Sequence, residues 1–414
     1  MSTTILIIGL LVFLAHFLSL QFKKTNIPDV LVLVLLGIFL GPVLGFVSQG
    51  DFGQVGSLFA TIALVVILFE GGTTLDLDVL SRSLATTGKL ALGGFVLTTA
   101  IVTLIGMYLL GLNLLPATLL GLTLGSTSPA VVIPIVNSLR LSEKPATVLV
   151  LESALTDVLS IIGVFALIQI HLHGEVAPGK LIGEVMSAMI FAAVIGVLGG
   201  LGWLLVLGKV RDFPNTISST LAYVFIVYGL TEFLGFSGAI AALALGITLT
   251  NFEKFHLHSI PSIDRNIVPL NEIDKAFYSE AVFLLKTYFF IYLGISIQFG
   301  EISMTLVAFS MVLVIYAMRL SLTRLIFSDA SYSLRDTAIT SMMGPKGLAS
   351  AVLATLPLKY GVDSGELIRD VAYMVVLLSI SLTAVLVMLY PRNFAQRIYS
   401  HALKKPIDKQ MQNR

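Results

Sequence analysis

Apolar residues occur along this chain in long blocks that short polar stretches separate. Each block holds about 18 to 25 residues, which is enough to cross a hydrocarbon core of about 30 Å as a helix. A membrane barrel would instead show segments of about ten residues with alternating apolar and polar positions. The stretch Leu31 to Leu40 is continuously apolar. The pattern therefore predicts an all-α polytopic membrane protein.

The lengths and flanks of the blocks predict about thirteen transmembrane helices. Their bounds carry errors of several residues, and the block at 238–250 is short for a span. The predicted helices are 4–21, 28–46, 55–72, 88–111, 115–138, 146–170, 181–207, 216–234, 238–250, 277–298, 303–327, 335–357 and 367–390. We expect the first to be a retained helix rather than a cleaved signal.

Basic residues test this count, because alternate loops lie on opposite sides of the membrane and cytoplasmic loops are rich in Lys and Arg. Lys180, Lys359 and Arg369 fall on one side. The other side collects the larger set, which is Lys23, Lys24, Arg82, Lys89, Arg140, Lys144, Lys209, Arg211, Lys254, Arg265, Lys275, Arg324, Arg335, Arg392, Arg397, Lys404, Lys405, Lys409 and Arg414. We expect a plasma (inner) membrane protein with its N-terminus outside and its C-terminus in the cytoplasm.

Composition narrows the function classes. Hydrophobic residues make up 56% of the chain and charged residues 12%, against about 25% charged in soluble domains. The absence of cysteine excludes disulfides and thiolate metal sites, and the formal net charge of +1 gives no indication of a nucleic-acid partner. No zinc-ligand spacing or nucleophile motif lies at membrane depth. We therefore expect a lipid-embedded protein that is not an enzyme and needs no cofactor.

Asp157 lies near the middle of the block 146–170, at a depth where an ionisable side chain usually faces a pathway or a partner. Ser153 lies four residues earlier and shares its helix face. A carboxylate beside hydroxyls suits a dehydrated monovalent cation, and desolvation allows protons to compete for it near neutral pH. The alternative is a buried carboxylate in a structural network.

The block 115–138 contains the stretch Gly125 to Pro134, in which small hydroxyl residues and two prolines interrupt a membrane helix. Interrupted helices in transporters free backbone carbonyls and present half-helix ends to ions near the midplane. Thr127 and Ser128 would then join Asp157 in one ion-binding site. The alternative is a proline kink that neighbouring helices satisfy.

A second interruption, Gly344-Pro345-Lys346-Gly347, lies in the block 335–357. Two broken helices in separate halves indicate a transporter. Lys346 would balance the half-helix ends or the Asp157 charge; alternatively, it reaches to the inner membrane face.

Three further charges are candidates for supporting roles. Glu152 points away from Asp157 and needs a partner, for which Arg319 is the candidate and Lys286 and Lys346 are rivals. We expect a structural ion pair. Glu70 either lines an entrance or is a solvated structural residue.

At these residues the chain resembles the monovalent cation/proton antiporter family, the sodium/proton exchangers, and in particular its NhaP-type branch. The resemblance covers nearly the whole chain. It is carried by Ile27-Pro28, Gly37 to Pro42, Phe69-Glu70-Gly71-Gly72, Gly125 to Pro134, Glu152-Ser153 with Asp157, Glu232 to Asn251, Arg319 and Gly344 to Gly347.

The resemblance implies secondary active exchange of sodium, potassium or lithium for protons by alternating access. Asp157 would bind cation and proton in turn, with Ser153 and Thr127 as further cation ligands. Thr156 belongs to the same site but departs from the family, which carries asparagine or aspartate there, and Ser128 stands where an aspartate is common. These departures leave the stoichiometry and the cation open.

The resemblance also implies a homodimer with one transporter domain in each subunit. Its moving core would comprise 88–170 and 303–390, and its dimer scaffold 4–72 and 181–298. Two other functions remain open, a proton-coupled symporter of an organic solute and a cation channel. A channel needs a continuous hydrated path, whereas one central carboxylate that exchanges its proton for an ion favours antiport.

Overall fold

A computed structural model describes residues 9–10, 13–14, 16–17, 29–173, 178–210, 218–255, 270–297, 302–329 and 332–406. Within these ranges the chain is helical apart from turns and short connections, and it contains no β-strand. The prediction of an all-α polytopic fold is confirmed. The first predicted helix, 4–21, lies largely outside the described residues.

The helices differ widely in length, from 4 residues in α14 to 33 in α3 and α7. In chain order they are α1 (Asp29–Ile38, continued by a π-helical turn Phe39–Val43), α2 (Gln49–Thr73), α3 (Leu77–Leu109), α4 (Leu114–Leu124), α5 (Pro129–Leu139), α6 (Glu143–His173), α7 (Pro178–Val210), α8 (Ser219–Phe233), α9 (Gly238–Thr250), α10 (Glu272–Ser296), α11 (Ile302–Ile326), α12 (Leu334–Met342), α13 (Leu348–Leu353), α14 (Leu356–Lys359), α15 (Gly365–Leu389) and α16 (Asn393–Leu403).

The long helices are long enough to cross a membrane. Counting Leu114–Leu139 as one span, seven stretches of the described residues are long and apolar enough to cross a bilayer, and five shorter apolar helices accompany them. The long helices expose much of their apolar surface: in α11 only 33% of the most apolar window is buried. Such apolar exposure suits a lipid environment, where it costs nothing.

Most predicted bounds agree with the structure to within a few residues, and α9 coincides with the predicted 238–250. The largest difference is at α3, which begins at Leu77 rather than 88. Its first turns carry polar side chains such as Arg82, so hydropathy alone places the helix start where the apolar run starts. A helix needs no apolar face where it extends beyond the membrane.

Both predicted interruptions are present. The first separates α4 from α5 at Gly125–Ser128, and Pro129 occupies the first turn of α5, where its missing N–H is not needed. The second proline does not contribute to the break as we expected, because Pro134 lies inside α5. The second interruption, Met343–Gly347, separates α12 from the short α13.

The chain divides into two compact units. The first comprises Met1–Gly56, Ala85–Glu175 and Thr287–Arg414, and the second comprises Ser57–Leu84 and Val176–Lys286. The first unit contains both interruptions, and 89% of the most apolar window of Leu114–Leu139 is buried. The division into a moving core and a dimer scaffold stays a prediction.

The second unit is built around α7 and α9, which pack along each other. Its core contains aromatic residues, among them Phe69, Trp203 and Tyr278. Asn251 anchors the end of α9, since its side chain accepts a hydrogen bond from Leu77 N (2.8 Å) and donates one to Leu75 O (2.7 Å).

Close helix contacts at glycine occur in both units. In the first unit, a Cβ at Gly294 on α10 would collide with Val34 O and would lie 2.8 Å from the Cα of Gly37 on α1. In the second, a Cβ at Gly246 on α9 would collide with Phe69 O on α2. Small residues allow membrane helices to approach closely, and dispersion contacts then hold them together.

We predict that Gly294→Ala lowers the stability of the purified protein by about 1–3 kcal/mol, because the added methyl group forces α1 and α10 apart. The measurement is thermal unfolding in detergent. The matched control is Gly88→Ala on α3, where a Cβ meets no atom within 4 Å and a small gain in helix propensity is expected. Equal stability of the two variants would contradict this packing.

Candidate functional site

The two interruptions touch through their backbones. Ser128 N donates a hydrogen bond to Pro345 O at 2.8 Å, which joins the break after α4 to the break after α12. Gly347 lies so close to Ser128 that a Cβ there would collide with the Ser128 side chain. The crossing therefore requires glycine at 347.

A cation meets the carboxyl end of each interrupted helix. Lys346 Nζ donates to Ser126 O (2.9 Å), just beyond α4, and Arg319 Nε donates to Thr340 O (3.1 Å) in the last turn of α12. Helix carboxyl ends carry unsatisfied carbonyls and a partial negative charge. Each break therefore has one free carbonyl that a buried cation bonds. Lys346 is 2% exposed and does not reach to a membrane face.

Helix α6 is bound to the first break by hydroxyl groups. Thr156 Oγ1 accepts a hydrogen bond from Thr127 N (3.0 Å) and donates to Ser153 O (3.2 Å). Ser160 Oγ donates to Leu122 O at 2.8 Å, in the last turn of α4. These contacts fix the register of α6 against the interruption.

Glu152 and Arg319 form a buried, two-pronged ion pair. Nη1 and Nη2 of Arg319 lie 2.6 and 2.9 Å from the two carboxylate oxygens of Glu152, and the side chains are 5% and 1% exposed. The two parallel hydrogen bonds to Glu152 and the third to Thr340 O use three of the five N–H donors of the guanidinium. Glu152 is thus occupied by Arg319 and not by Lys286 or Lys346.

Asp157 differs from Glu152 although both lie on α6. It is 5% exposed, and its Oδ1 has no hydrogen-bond partner among the described residues. The Ser126 hydroxyl and the charge of Lys346 both act on the carboxylate, and no salt bridge joins it to Lys346 among the described residues. A buried carboxylate oxygen without a partner is costly and calls for a ligand.

Most of the predicted site residues lie together in the first unit. Asp157, Ser153, Thr156, Thr127 and Ser128 are all buried on α6 or at the first break. The Ser153 hydroxyl donates to Val150 O (2.8 Å), so its oxygen lone pairs remain available.

The predicted supporting residue Glu70 belongs to the second unit. It lies on α2, where the charge of Lys286 acts on it.

Three serines at the crossing were not among the predicted site residues. Ser126 Oγ lies 3.2 Å from Ser350 Oγ, which links the first break to α13. Ser379 Oγ on α15 accepts a hydrogen bond from Lys346 N at 2.9 Å. Ser126 is adjacent to Thr127 within a recognised break, whereas Ser379 carries no signal because a lone serine in a membrane helix usually bonds its own backbone.

A small cavity adjoins the crossing. It is lined by the Glu152–Arg319 pair, by Thr127, Thr156 and Lys346, and by apolar residues of α3 and α11. Hydroxyl oxygens and backbone groups at such a cavity suit a dehydrated monovalent cation. Asp157 and Ser153 are not among the residues that line this cavity, and its one carboxylate, Glu152, is already paired with Arg319.

Comparison with known proteins gives one family across nearly the whole chain. The family model described as "Sodium/hydrogen exchanger, transmembrane" matches residues 9–388. The K(+)/H(+) antiporter NhaP2 of Shewanella sp. (strain MR-4) is 25% identical over 91% of this chain and 64% of its own length. The Na(+)/H(+) antiporter NhaS2 of Synechocystis is 24% identical over 74% of this chain and 54% of its own. The chain thus spans less than two thirds of these curated relatives.

Solved structures show the same fold. The sodium proton antiporter MjNhaP1 from Methanocaldococcus jannaschii, determined by electron microscopy, matches with a TM-score of 0.72 at 22% identity, over 94% of this chain and 97% of that chain. A second structure of MjNhaP1, at pH 8, gives a TM-score of 0.69 at 20% identity over 98% of this chain and 99% of that one.

We predict that Arg319→Gln lowers stability by about 3–5 kcal/mol, because Glu152 is then a buried charge without its counterion. The double variant Glu152→Gln/Arg319→Gln should recover a large part of that loss. Thermal unfolding in detergent measures both. The control is Lys275→Gln, which removes an exposed pair and should cost less than about 1 kcal/mol. If the double variant were no more stable than Arg319→Gln, the loss of stability would not come from the unpaired charge of Glu152.

Proposed function

Because this chain belongs to the sodium/hydrogen exchanger family, a family of multi-pass membrane transporters, we propose that it exchanges a monovalent cation for protons across the membrane. The cation is sodium, potassium or lithium. The observation that carries the proposal is Asp157, whose buried Oδ1 has no hydrogen-bond partner among the described residues. The curated relatives support the reaction class, since they are described as K(+)/H(+) and Na(+)/H(+) antiporters.

Coupling follows from competition for one oxygen. A desolvated carboxylate is unfavourable as a bare anion, so either a proton or a cation must neutralise it. Asp157 binds the two in turn, and neither leaves without the other taking its place. Ser153 and Thr127 contribute hydroxyl oxygens to the bound cation, while Thr156 and Ser128 hold the first break in position. Glu152, Arg319 and Lys346 keep the surrounding charges balanced.

Exchange requires that Asp157 reach the two sides of the membrane alternately. In the proposed mechanism the core, 88–170 and 303–390, moves against a dimer scaffold, 4–72 and 181–298. Two subunits form a homodimer in the plasma membrane. The N-terminus lies outside and the C-terminus in the cytoplasm, as the distribution of basic loops favours.

We predict that Asp157→Asn abolishes exchange, because an amide neither releases a proton nor carries the charge that binds a cation. Inside-out vesicles from cells lacking their own antiporters are energised by respiration, and sodium, potassium or lithium salts are added while a pH-sensitive dye is followed. The wild type should collapse the proton gradient with at least one cation, between about pH 6 and 9. The variant should give the background signal.

The matched control is Asp363→Asn, which changes an exposed carboxylate and should exchange like the wild type. A wild type that responds to no alkali cation would overturn the proposal. Collapse by an organic solute alone would identify a symporter, and cation current without proton movement would identify a channel.

We further predict one cation for one proton, because Glu152 is held by Arg319 and Asp157 is the one exchangeable carboxylate of the proposed site. The exchange rate of proteoliposomes under a fixed pH gradient should change by less than about twofold between zero potential and about −100 mV, where one uncompensated charge would gain about 2.3 kcal/mol. Thr156→Asp adds a second carboxylate that retains an acceptor for Thr127 N, and it should make the rate depend on voltage. Voltage dependence in the wild type would exclude a single exchangeable carboxylate.

A further inference from the structure

Basic side chains surround an open pocket in the first unit. None of its lining residues belongs to the proposed exchange site. Arg324, near the end of α11, lines it together with Arg397, His401 and Lys404 of α16. Arg397, His401 and Lys404 are exposed, and Arg324 is half-buried. Among the described residues none of the four has an acidic partner. Such an excess of one charge in one pocket requires a mobile counterion or a bound anion.

Helix α16 is held in place, so the pocket is a built feature rather than a chance approach of surface side chains. The rings of Tyr390 and Tyr399 meet edge to face at 6.0 Å, which folds α16 back towards the end of α15. Lys405 Nζ, at the other end, donates to Asp329 O (2.8 Å) and Tyr332 O (2.6 Å). The second half of α16 therefore packs against the end of α15, and Lys405, just beyond α16, is bonded to the loop that follows α11.

The exposed surface of α16 carries two parallel stripes. Phe394 and Ile398 are one helical turn apart and are 75% and 49% exposed. Arg397 and His401, four residues apart, form a basic stripe beside them, and Lys404 follows directly after the helix end in a left-handed conformation. A helix with an apolar stripe beside a basic one, following directly on a membrane-spanning helix, is typical of a segment that lies in the lipid headgroup region.

We propose that this pocket binds the phosphate headgroup of an anionic phospholipid. Guanidinium groups pair with phosphate oxygens through two parallel hydrogen bonds, and Arg324 and Arg397 bring two such groups from different helices. His401 and Lys404 add donors on the same side. The acyl chains follow the apolar stripe of Phe394 and Ile398.

The apolar stripe is the reason for choosing a lipid rather than a soluble phosphate. A free anion would use the basic residues alone and leave Phe394 exposed to water. The neighbour of Arg324, Leu325, is also apolar and 74% exposed. Basic residues at a membrane surface gain from the negative potential of anionic lipids as well as from direct contacts. The headgroup pocket and the apolar surface together fit one amphipathic ligand.

The test uses the full chain in detergent and native mass spectrometry, with dioctanoyl phosphatidylglycerol as the probe. The wild type should retain this lipid in preference to dioctanoyl phosphatidylcholine. Arg324→Gln/Arg397→Gln should bind it about thirtyfold more weakly, as expected for the loss of two basic contacts. The charge-preserving Arg324→Lys/Arg397→Lys should recover part of the affinity, which separates lost binding from lost folding.

The matched control is Arg82→Gln/Lys89→Gln, which removes two exposed charges from α3 and should leave lipid binding within about twofold of the wild type. An equal loss in this control would show general surface attraction and overturn the proposal. So would equal retention of phosphatidylcholine, or displacement of the lipid by glycerol 3-phosphate at a matched concentration, which would indicate a soluble phosphate. No arm measures transport, so the result is independent of Asp157.

Discussion

Backbone groups that lose their helical partners at membrane depth must find others inside the protein, because the hydrocarbon core offers no water. Two helices of this chain break at that depth, and each break supplies part of what the other lacks. Ser128 N bonds Pro345 O across the crossing, while Lys346 extends from the second break to Ser126 O in the first. Removing either interruption would leave the other with unsatisfied groups, so the breaks stabilise one another.

The same requirement decides how charge is distributed around the crossing. Arg319 satisfies the carboxyl end of α12 and at the same time neutralises Glu152. Lys346 bonds Ser126 O, two residues beyond the end of α4. Both cations are thereby committed to structure, and Asp157 keeps an oxygen that nothing in the described part of the chain fills. The two basic side chains are fixed by hydrogen bonds, whereas one carboxylate oxygen has no partner. Such an arrangement suits a ligand that binds reversibly.

Helix α11 connects this crossing with the basic pocket near its end. It carries Arg319 in the ion pair and Arg324, five residues later, in the pocket, and α16 packs on α11 and α12. A lipid bound at Arg324 and Arg397 would therefore rest on the two helices that support the second break. The proposed lipid-binding surface and the proposed exchange site therefore share these helices.

Hydropathy predicted the long apolar helices, because membrane insertion imposes a length and an apolar composition that are visible without tertiary information. It did not predict α16, which lies beyond the last apolar block. Proline and glycine marked both interruptions for a similar local reason. Where polar residues extend a helix, as in the first turns of α3, hydropathy placed its start too late. Pro134 was misjudged because membrane helices tolerate an internal proline, so its presence did not mark the break.

Asp157 and Ser153 were proposed as site residues from depth and helical spacing alone, since both lie on one face of α6, and their role stays a prediction. The sequence left Arg319, Lys286 and Lys346 as alternative partners of Glu152. It could not decide between them, because the partner lies on a helix far away in the chain. Ser379 was missed for the same reason.

Local sequence pattern was thus enough to predict the helical architecture, the two breaks and the central carboxylate. It was enough because polar groups are costly in lipid, so those that occur at membrane depth stand out in the sequence. Partner choice, the occupation of Lys346 by Ser126 O and the unfilled oxygen of Asp157 were decided by tertiary contacts. Which donors reach which acceptors depends on how separate helices pack, and no local pattern contains that information.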